Sequence, residues 1–207
     1  MRHVTMPRGS AARWAANSHI GPMTTIYLVR HAHAEWNPDE NRPLSERGRA
    51  SAVVVGELLS KSPIRAIYSS PARRALETVE PLSYRLQLEP VKVADLRERE
   101  LLVEAGTDFE TVVKAAWLAP ESAGVGSESN DMAQARGLAA IRKIVDEQMG
   151  GHSVVATHGN LLALILHGLK PTFGFELWRA LTFPDVHELT FQGASLVNVR
   201  RLWHGAA

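Results

Sequence analysis

Three short apolar runs in this chain end in cationic or hydroxyl-bearing residues, and the stretches between them are long enough to hold helices. Residues 25–29 (Thr-Ile-Tyr-Leu-Val) end at Arg30-His31, residues 64–68 (Ile-Arg-Ala-Ile-Tyr) end at Ser69-Ser70, and residues 153–157 (Ser-Val-Val-Ala-Thr) end at His158-Gly159-Asn160. Runs this short, rich in β-branched residues and apolar on both faces, read as strands buried on both sides. Such strands belong to sheets covered by helices on each face, which in soluble proteins means largely parallel sheets. The pattern therefore constrains the chain to an α/β layout before any single residue is considered.

The intervening segments agree. Ser45 can cap a helix running to Leu59, whose inward face is expected from Val53, Val54 and Leu58. Pro71 suits a helix's first turn, with Ser70 as its expected cap and an end near Leu86. Residues 88–93 form a weaker strand signal; 109–117 and 131–148 look helical, separated by a Gly- and Ser-containing loop at 122–129. A helix begins at Asn160, a short one lies near 176–181, and 186–191 with 196–203 make a hairpin-like pair about Gln192-Gly193-Ala194. The expectation is an α/β three-layer sandwich: a largely parallel central sheet with an antiparallel ending, flanked by helices, in one domain over residues 23–207. Residues 1–22 carry Arg2, Arg8 and Arg13, no acidic residue and no apolar h-region, and are set aside as an N-terminal extension outside the fold.

Composition removes several classes of function. The chain has 207 residues, enough for one well-buried domain, and its formal net charge of +1 gives no global drive toward nucleic acid or anionic membrane. It has no cysteine, which excludes disulfides, thiolate metal sites and thiol catalysis and fits a reducing, cytoplasmic setting. No apolar run approaches the roughly 20 residues that span a bilayer.

Ligands of open α/β sheets bind beyond the carboxyl ends of the strands. Here those ends bring together Arg30 and His31, Ser69 and Ser70 with Arg73 and Arg74 just beyond, and Thr157 with His158. Any one of these, taken singly, reads equally well as a surface or capping residue. Two histidines and several arginines converging on one sheet edge suit phosphoryl transfer. Arginine forks pair bidentately with phosphate oxygens, a neutral imidazole can attack phosphorus, and a second histidine, protonated, can donate to an equatorial oxygen. Helix starts at Pro71 and Asn160 would add partial positive charge. With arginines supplying the charge, neither a metal nor an organic cofactor is called for.

These residues resemble the histidine phosphatase superfamily, the branch that contains the cofactor-dependent phosphoglycerate mutases and related phosphatases. The family's opening strand and Arg-His-Gly-Glu-Ser/Thr-x-Trp-Asn element is similar to Arg30-His-Ala-His-Ala-Glu-Trp-Asn37, and its Ser-Ser-Pro-x-x-Arg-Ala-x-x-Thr element to residues 69–78. Leu96-Arg97-Glu98 matches a third element and Val154-Val-Ala-Thr-His158-Gly-Asn160 a fourth, so four elements stand in order over roughly residues 25–165. The resemblance implies His31 as the phosphorylated nucleophile, Arg30 and Arg74 as phosphate ligands, His158 as both phosphate ligand and transition-state stabiliser, and Glu98 as general acid and base. It also implies Asn37 as a phosphate or substrate contact. Its spacing selects Arg74 over Arg73, which is expected to point outward or pair with an acid, whereas Glu100 and Asp95 stand close enough to Glu98 to compete. Three departures are visible: Ala32 replaces the glycine after the nucleophile, Ala34 replaces a hydroxyl residue, and Leu101-Leu102-Val103 replaces the glycine-containing stretch after Glu98.

Mutase and phosphatase share the phosphohistidine step and differ in what accepts the phosphoryl group. Relatives that are mutases carry extra cap sequence and basic residues between the acid and the second histidine. Between Glu98 and His158 this chain has only Arg99, Lys114, Arg136, Arg142 and Lys143, which favours water as acceptor. The expected function is a metal-independent phosphomonoester hydrolase acting on a small phosphorylated substrate or on a phosphoprotein. The alternatives are a phosphoglycerate mutase-type isomerase and a non-catalytic phosphate-binding module. Neutral Phe109, Trp117 and Leu101-Leu102 suggest an uncharged leaving group. His33 reads as a loop residue, Trp36, Trp117 and Trp178 as core or lid, and Asp185, His187 and His204 as structural. The edge of the last strand is a candidate homodimer surface.

Overall fold

In the computed structural model, residues 21–205 are described apart from residues 36, 38, 40, 104 and 105. The extension assigned to residues 1–22 therefore lies almost wholly outside the described residues, as does Trp36. The strands are β1 (Met23–Arg30), β2 (Ile64–Ser69), β3 (Val91–Lys92), β4 (His152–Thr157), β5 (Asp185–Gln192) and β6 (Ser195–Arg201). They form one sheet in the order β3-β2-β4-β1-β5-β6. β4 pairs in parallel with β1 and β2, and β3 in parallel with β2, while β5 runs antiparallel to β1 and β6 antiparallel to β5. The mixed, mostly parallel sheet with an antiparallel ending matches the reading of the sequence.

Among the described residues six α-helices accompany it: α1 (Glu46–Leu59), α2 (Arg73–Leu86), α3 (Phe109–Leu118), α4 (Asn130–Glu147), α5 (Gly159–Leu169) and α6 (Phe175–Ala180). The sheet's alternation divides the core in two. Ile26 and Leu28 of β1 and Val155 of β4 face a cluster with Ile141 and Ile144 of α4 and Leu161 and Ile165 of α5. Tyr27 and Val29, with Val154 and Ala156, face Val55 and Leu59 of α1 and Val79 and Leu82 of α2. Residues 159–166 of α5 are buried without interruption, so this helix is hydrophobic all round and serves as the inner wall behind the sheet.

Two local expectations are corrected. Val53 and Val54 of α1 are 47% and 40% exposed; the buried stripe is Gly48, Ala52, Val55, Gly56 and Leu59, with Leu58 at its margin. Small residues win that face because α1 lies close to its neighbours: a Cβ at Gly56 would stand 3.2 Å from the Leu82 nitrogen. Ser70 does not cap α2, whose first residue is Arg73 and whose N-cap is Ala72 without a side-chain bond. Ser45 does cap α1, accepting from the Gly48 N–H. The weak strand signal at 88–93 is reduced to the two residues of β3, both exposed at the sheet edge. Among the described residues no helix is long and apolar enough to cross a membrane.

The register sets up the site. Arg30 stands opposite Thr157 on one side and opposite Asp185 on the other, and Ser69 lies opposite Ala156. The carboxyl ends of β1, β2 and β4 are therefore level, and the residues that follow them meet over one edge.

Candidate active site

His31 is the first residue beyond β1 and is only 6% exposed. Its backbone N–H donates to the Thr157 carbonyl at 2.9 Å, so the turn away from the sheet is tied to β4. The next residue, Ala32, donates its N–H to Thr78 Oγ1 at 2.9 Å, and that hydroxyl donates to the Arg74 carbonyl at 2.7 Å. The imidazole Nδ1 lies 2.7 Å from the Ala32 carbonyl oxygen, an acceptor only, so Nδ1 carries the hydrogen and Nε2 holds the lone pair. Arg74, 7% exposed, donates from Nε toward that lone pair at 3.3 Å. Burial, with the charges of Arg74, Arg30 and Arg42 acting the same way, depresses the His31 pKa to about 3 against an opposing hydrogen bond to Ala32. The ring is neutral throughout the physiological range.

Arg30 lies in a slot. One face of its guanidinium is covered by the Phe183 ring, with Cζ 3.4 Å from the ring centroid. The other face is against Gly159, where a Cβ would come within 2.9 Å of Cζ, Nε and Nη2. Nη1 donates to the carbonyls of Leu181 at 3.1 Å and Thr182 at 3.4 Å, and Nε is buried without a hydrogen-bond partner. Burial lowers the Arg30 pKa to about 10, opposed by Glu98 and Asp185, which leaves it cationic at neutral pH.

His158 completes the cluster, fully buried and edge-on to His31 with ring centroids 5.1 Å apart. Its Nε2 shares a 2.8 Å hydrogen bond with Ser70 Oγ, while Nδ1 is buried without a partner. Burial, His31 and the arginines hold its pKa well below the ordinary histidine value. The sequence reading has this ring protonated; in the pocket without an anion it is neutral, because four cationic or ionisable neighbours and the loss of water all disfavour a further charge.

Arg73 behaves as the spacing predicts, pairing outward with Glu77 at 2.6 Å. Asn37 is exposed, and its Oδ1 accepts from the Asp39 N–H, so its side chain is turned back onto its own loop. His33 shares a hydrogen bond with Ser45 Oγ at 2.8 Å and contacts Arg47 through Nε2, off the phosphate cluster. Glu98 sits across the start of α5: Oε1 accepts from the Leu161 N–H at 3.0 Å and from Arg99 N–H at 2.8 Å, and Oε2 from Asn160 N–H at 3.2 Å. The free N–H groups expected at the α5 start are thus taken by this carboxylate. Glu100 instead pairs with Arg97 at 3.6 Å on the exposed side of the loop. Glu98 is held there by Arg136, which donates to the carbonyls of Asp95, Arg97 and Glu98 and forms a two-pronged pair with buried Glu128.

Three participants escaped the sequence reading. Arg42 lies in the loop after His31; it is half-buried, its Nε has no hydrogen-bond partner, and its charge acts on both His31 and His158. The only sequence trace of it is a cation just before the Ser45 cap. Phe183 has no motif; its ring also lies 5.4 Å from His31 and 6.2 Å from His33. Arg136 entered the sequence reading only as one of the few basic residues between Glu98 and His158. Arg30, Arg42 and His158 each keep a buried nitrogen without a hydrogen-bond partner, and the two arginine charges act on His31; with the His31 Nε2 lone pair, this set can receive a tetrahedral dianion.

Residues 26–196 match the family model of the histidine phosphatase superfamily (branch 1). Phosphoglycerate mutase-like protein 4 of Arabidopsis thaliana is 30% identical over 167 residues, 71% of each chain. Phosphoserine phosphatase 1 of Hydrogenobacter thermophilus is 37% identical over 76 residues, a match spanning 34% of this chain and 36% of that protein. Among solved structures, YhfR of Bacillus stearothermophilus superposes with a TM-score of 0.70 at 28% identity, covering 84% of this chain and 94% of that one. The fold is shared with a mycobacterial glucosyl-3-phosphoglycerate phosphatase, TM-score 0.70 at 24% identity, covering 89% of this chain and all of that one. The chain belongs to the histidine phosphatase superfamily.

Proposed function

We propose that this protein hydrolyses a phosphomonoester through a phosphohistidine at His31, without a metal ion. The observation that carries the reading is the His31 ring itself: a buried, neutral imidazole whose Nδ1–H is committed to the Ala32 carbonyl, presenting Nε2 among arginines. In the first step the Nε2 lone pair forms a bond to phosphorus as the bond to the leaving oxygen breaks, and a proton from the Glu98 carboxyl passes to that oxygen. In the second, a water oxygen attacks phosphorus, Glu98 takes its proton, and the electron pair of the P–N bond returns to Nε2. Glu98 Oε2, with its single 3.2 Å bond, is the oxygen better placed to exchange that proton.

Arg30, Arg74 and Arg42 hold the phosphoryl oxygens, and His158 donates through Nδ1–H when Ser70 Oγ–H donates to its Nε2. Asn37 joins them when its amide leaves the Asp39 turn on substrate binding. A half-exposed phenyl ring at the mouth, Phe183, favours a leaving group that is uncharged and partly apolar over a small polyanion.

The test is phosphate release from p-nitrophenyl phosphate in EDTA, for the wild type and His31→Ala, with an alkaline quench to trap phosphohistidine. Turnover that survives EDTA, falls by about three orders of magnitude or more in the variant, and passes through a base-stable phosphoenzyme is expected. Labelling of His31 with transfer to phosphoglycerate faster than to water would instead mark a mutase. Phosphate binding without any labelling would mark a binding module.

A further inference from the structure

Asp185 lies outside every motif and was read from sequence as structural, yet it is completely buried and opposite Arg30 in the β1–β5 register. Its carboxylate gathers five groups. Oδ1 accepts from the Val186 N–H at 3.0 Å and from Arg201 Nε at 2.9 Å, and Oδ2 accepts from Arg201 Nη2 at 2.5 Å and from the Thr182 N–H at 2.9 Å. The Thr182 hydroxyl approaches Oδ2 at 3.3 Å, and His187 Nε2 lies 3.2 Å from Oδ1. Arg201 also donates to the Ala180 carbonyl at 3.1 Å, so both ends of the segment 180–185 are pinned to one ion pair.

That segment is what holds Arg30. Its carbonyls at Leu181 and Thr182 take Nη1, and its Phe183 ring covers the guanidinium face. With Nη1 fixed, Nε is left unpartnered and buried beside the nucleophile. A buried carboxylate next to an arginine could have paired with it directly; here it pairs with Arg201 instead, which keeps Arg30 positioned and leaves its Nε without a hydrogen-bond partner.

We infer that Asp185, clamped by Arg201, is a positioning residue that fixes the 180–185 segment so that Arg30 offers its free N–H edge to the phosphoryl group. The inference rests on the proposed role of Arg30 as a phosphate ligand. Asp185→Asn can still accept from Thr182 N–H but loses the charge that clamps Arg201, so the segment loosens while the sheet stays intact.

The experiment is a double-mutant cycle on Asp185 and Arg30, read as inhibition by inorganic phosphate and as separate kcat and KM values for p-nitrophenyl phosphate. Unliganded thermal stability is measured alongside. Asp185→Asn is expected to weaken phosphate about tenfold in the wild-type background and less than about twofold in Arg30→Ala, because the positioned group is already gone. The loss in unliganded stability should be the same in both backgrounds. Arg201→Gln, at the surface end of the clamp, should repeat the pattern and decides the matter if Asp185→Asn does not fold. Equal losses of phosphate affinity in both backgrounds would overturn the inference alone. Unchanged phosphate affinity in Arg30→Ala itself would overturn the proposed role of Arg30 and the inference with it.

Discussion

The hydrogen side chain at position 159 leaves the room that the Arg30 guanidinium occupies. Gly159 opens α5 directly after His158, and a Cβ there would come within 2.9 Å of three guanidinium atoms of Arg30. A surface arginine would swing aside at little cost, but this one has Phe183 at 3.4 Å on its far face and carbonyls at Nη1. Gly159→Ala should therefore displace Arg30 by a few tenths of an ångström or more and lower kcat/KM by about 10- to 100-fold, with far less effect on folding. Phe183→Ala added to it opens the slot and should return part of the loss, whereas Phe183→Ala alone gives up a cation–π contact of about 0.5–2 kcal/mol and should weaken activity modestly. Steady-state kinetics of the three variants decide this; Gly159→Ala at wild-type activity would show that the slot has slack. The His-Gly-Asn triplet was legible in the sequence as a motif. Its reason was not, because the guanidinium that forbids a side chain comes from a residue 129 positions earlier that meets it only across the sheet.

Among the elements, the legible ones were those whose signal is local. The strands β1, β2 and β4 appeared as β-branched runs, and the Ser45 cap of α1 and the end of α2 near Leu86 were placed within a residue or two. The inward face of α1 was misread because hydrophobicity is a poor guide where backbones come close: the helix turns Val53 and Val54 outward so that glycines can face inward. Gly48 shows how tight this is, since a Cβ there would lie 2.0 Å from the His33 carbonyl oxygen. The oxygen belongs to backbone and the Cβ position is fixed by backbone, so no rotamer can relieve the clash. Gly48→Ala should cost about 3 kcal/mol, at the upper end of overpacking penalties, and lower Tm by about 6–12 °C for a chain of this size. Gly56→Ala, with a 3.2 Å approach to Leu82 nitrogen, should cost much less. Activity should fall with the Gly48 change as well, because His33 is two residues from His31, the proposed nucleophile. Thermal unfolding of the two variants side by side tests the ranking, and equal Tm values would contradict it. Ser70 was misplaced as a cap for a related reason: its hydroxyl is used by His158, across the sheet, and sequence proximity to Pro71 carries no trace of that.

The molecule as a whole gathers positive charge at one sheet edge and dries it. Strand-end residues announced this edge, but Arg42, Phe183, Asp185 and Arg136 reach it from loops and far elements, where periodicity is silent. The consequence is a fold that accommodates neutral His31 and His158 but resists protonating them. An unfolded chain binds a proton at His31 near the ordinary value of about 6.5, whereas the folded chain does so only at about 3. The unfolded state thus holds more protons between these values, so the stabilising contribution is complete above pH 6.5 and is lost as pH falls toward 3. At pH 5 the loss from His31 alone is about 2 kcal/mol, with His158 adding in the same direction. Asp185, whose pKa burial would raise but which His187, Arg201 and Thr182 together hold below the ordinary carboxylate value, loses its contribution only at pH values below those of this test. Denaturant unfolding at pH 7.5, 6 and 5 should therefore show stability declining through the histidine range, and His31→Gln should flatten the slope by about 2 kcal/mol over that interval. Inorganic phosphate should raise stability at every pH, since it binds only the folded state and its charge relieves the cation cluster. A slope that is the same in His31→Gln would mean that the proton uptake lies elsewhere, and that His31 is not the neutral, desolvated imidazole on which the proposed phosphoryl transfer depends.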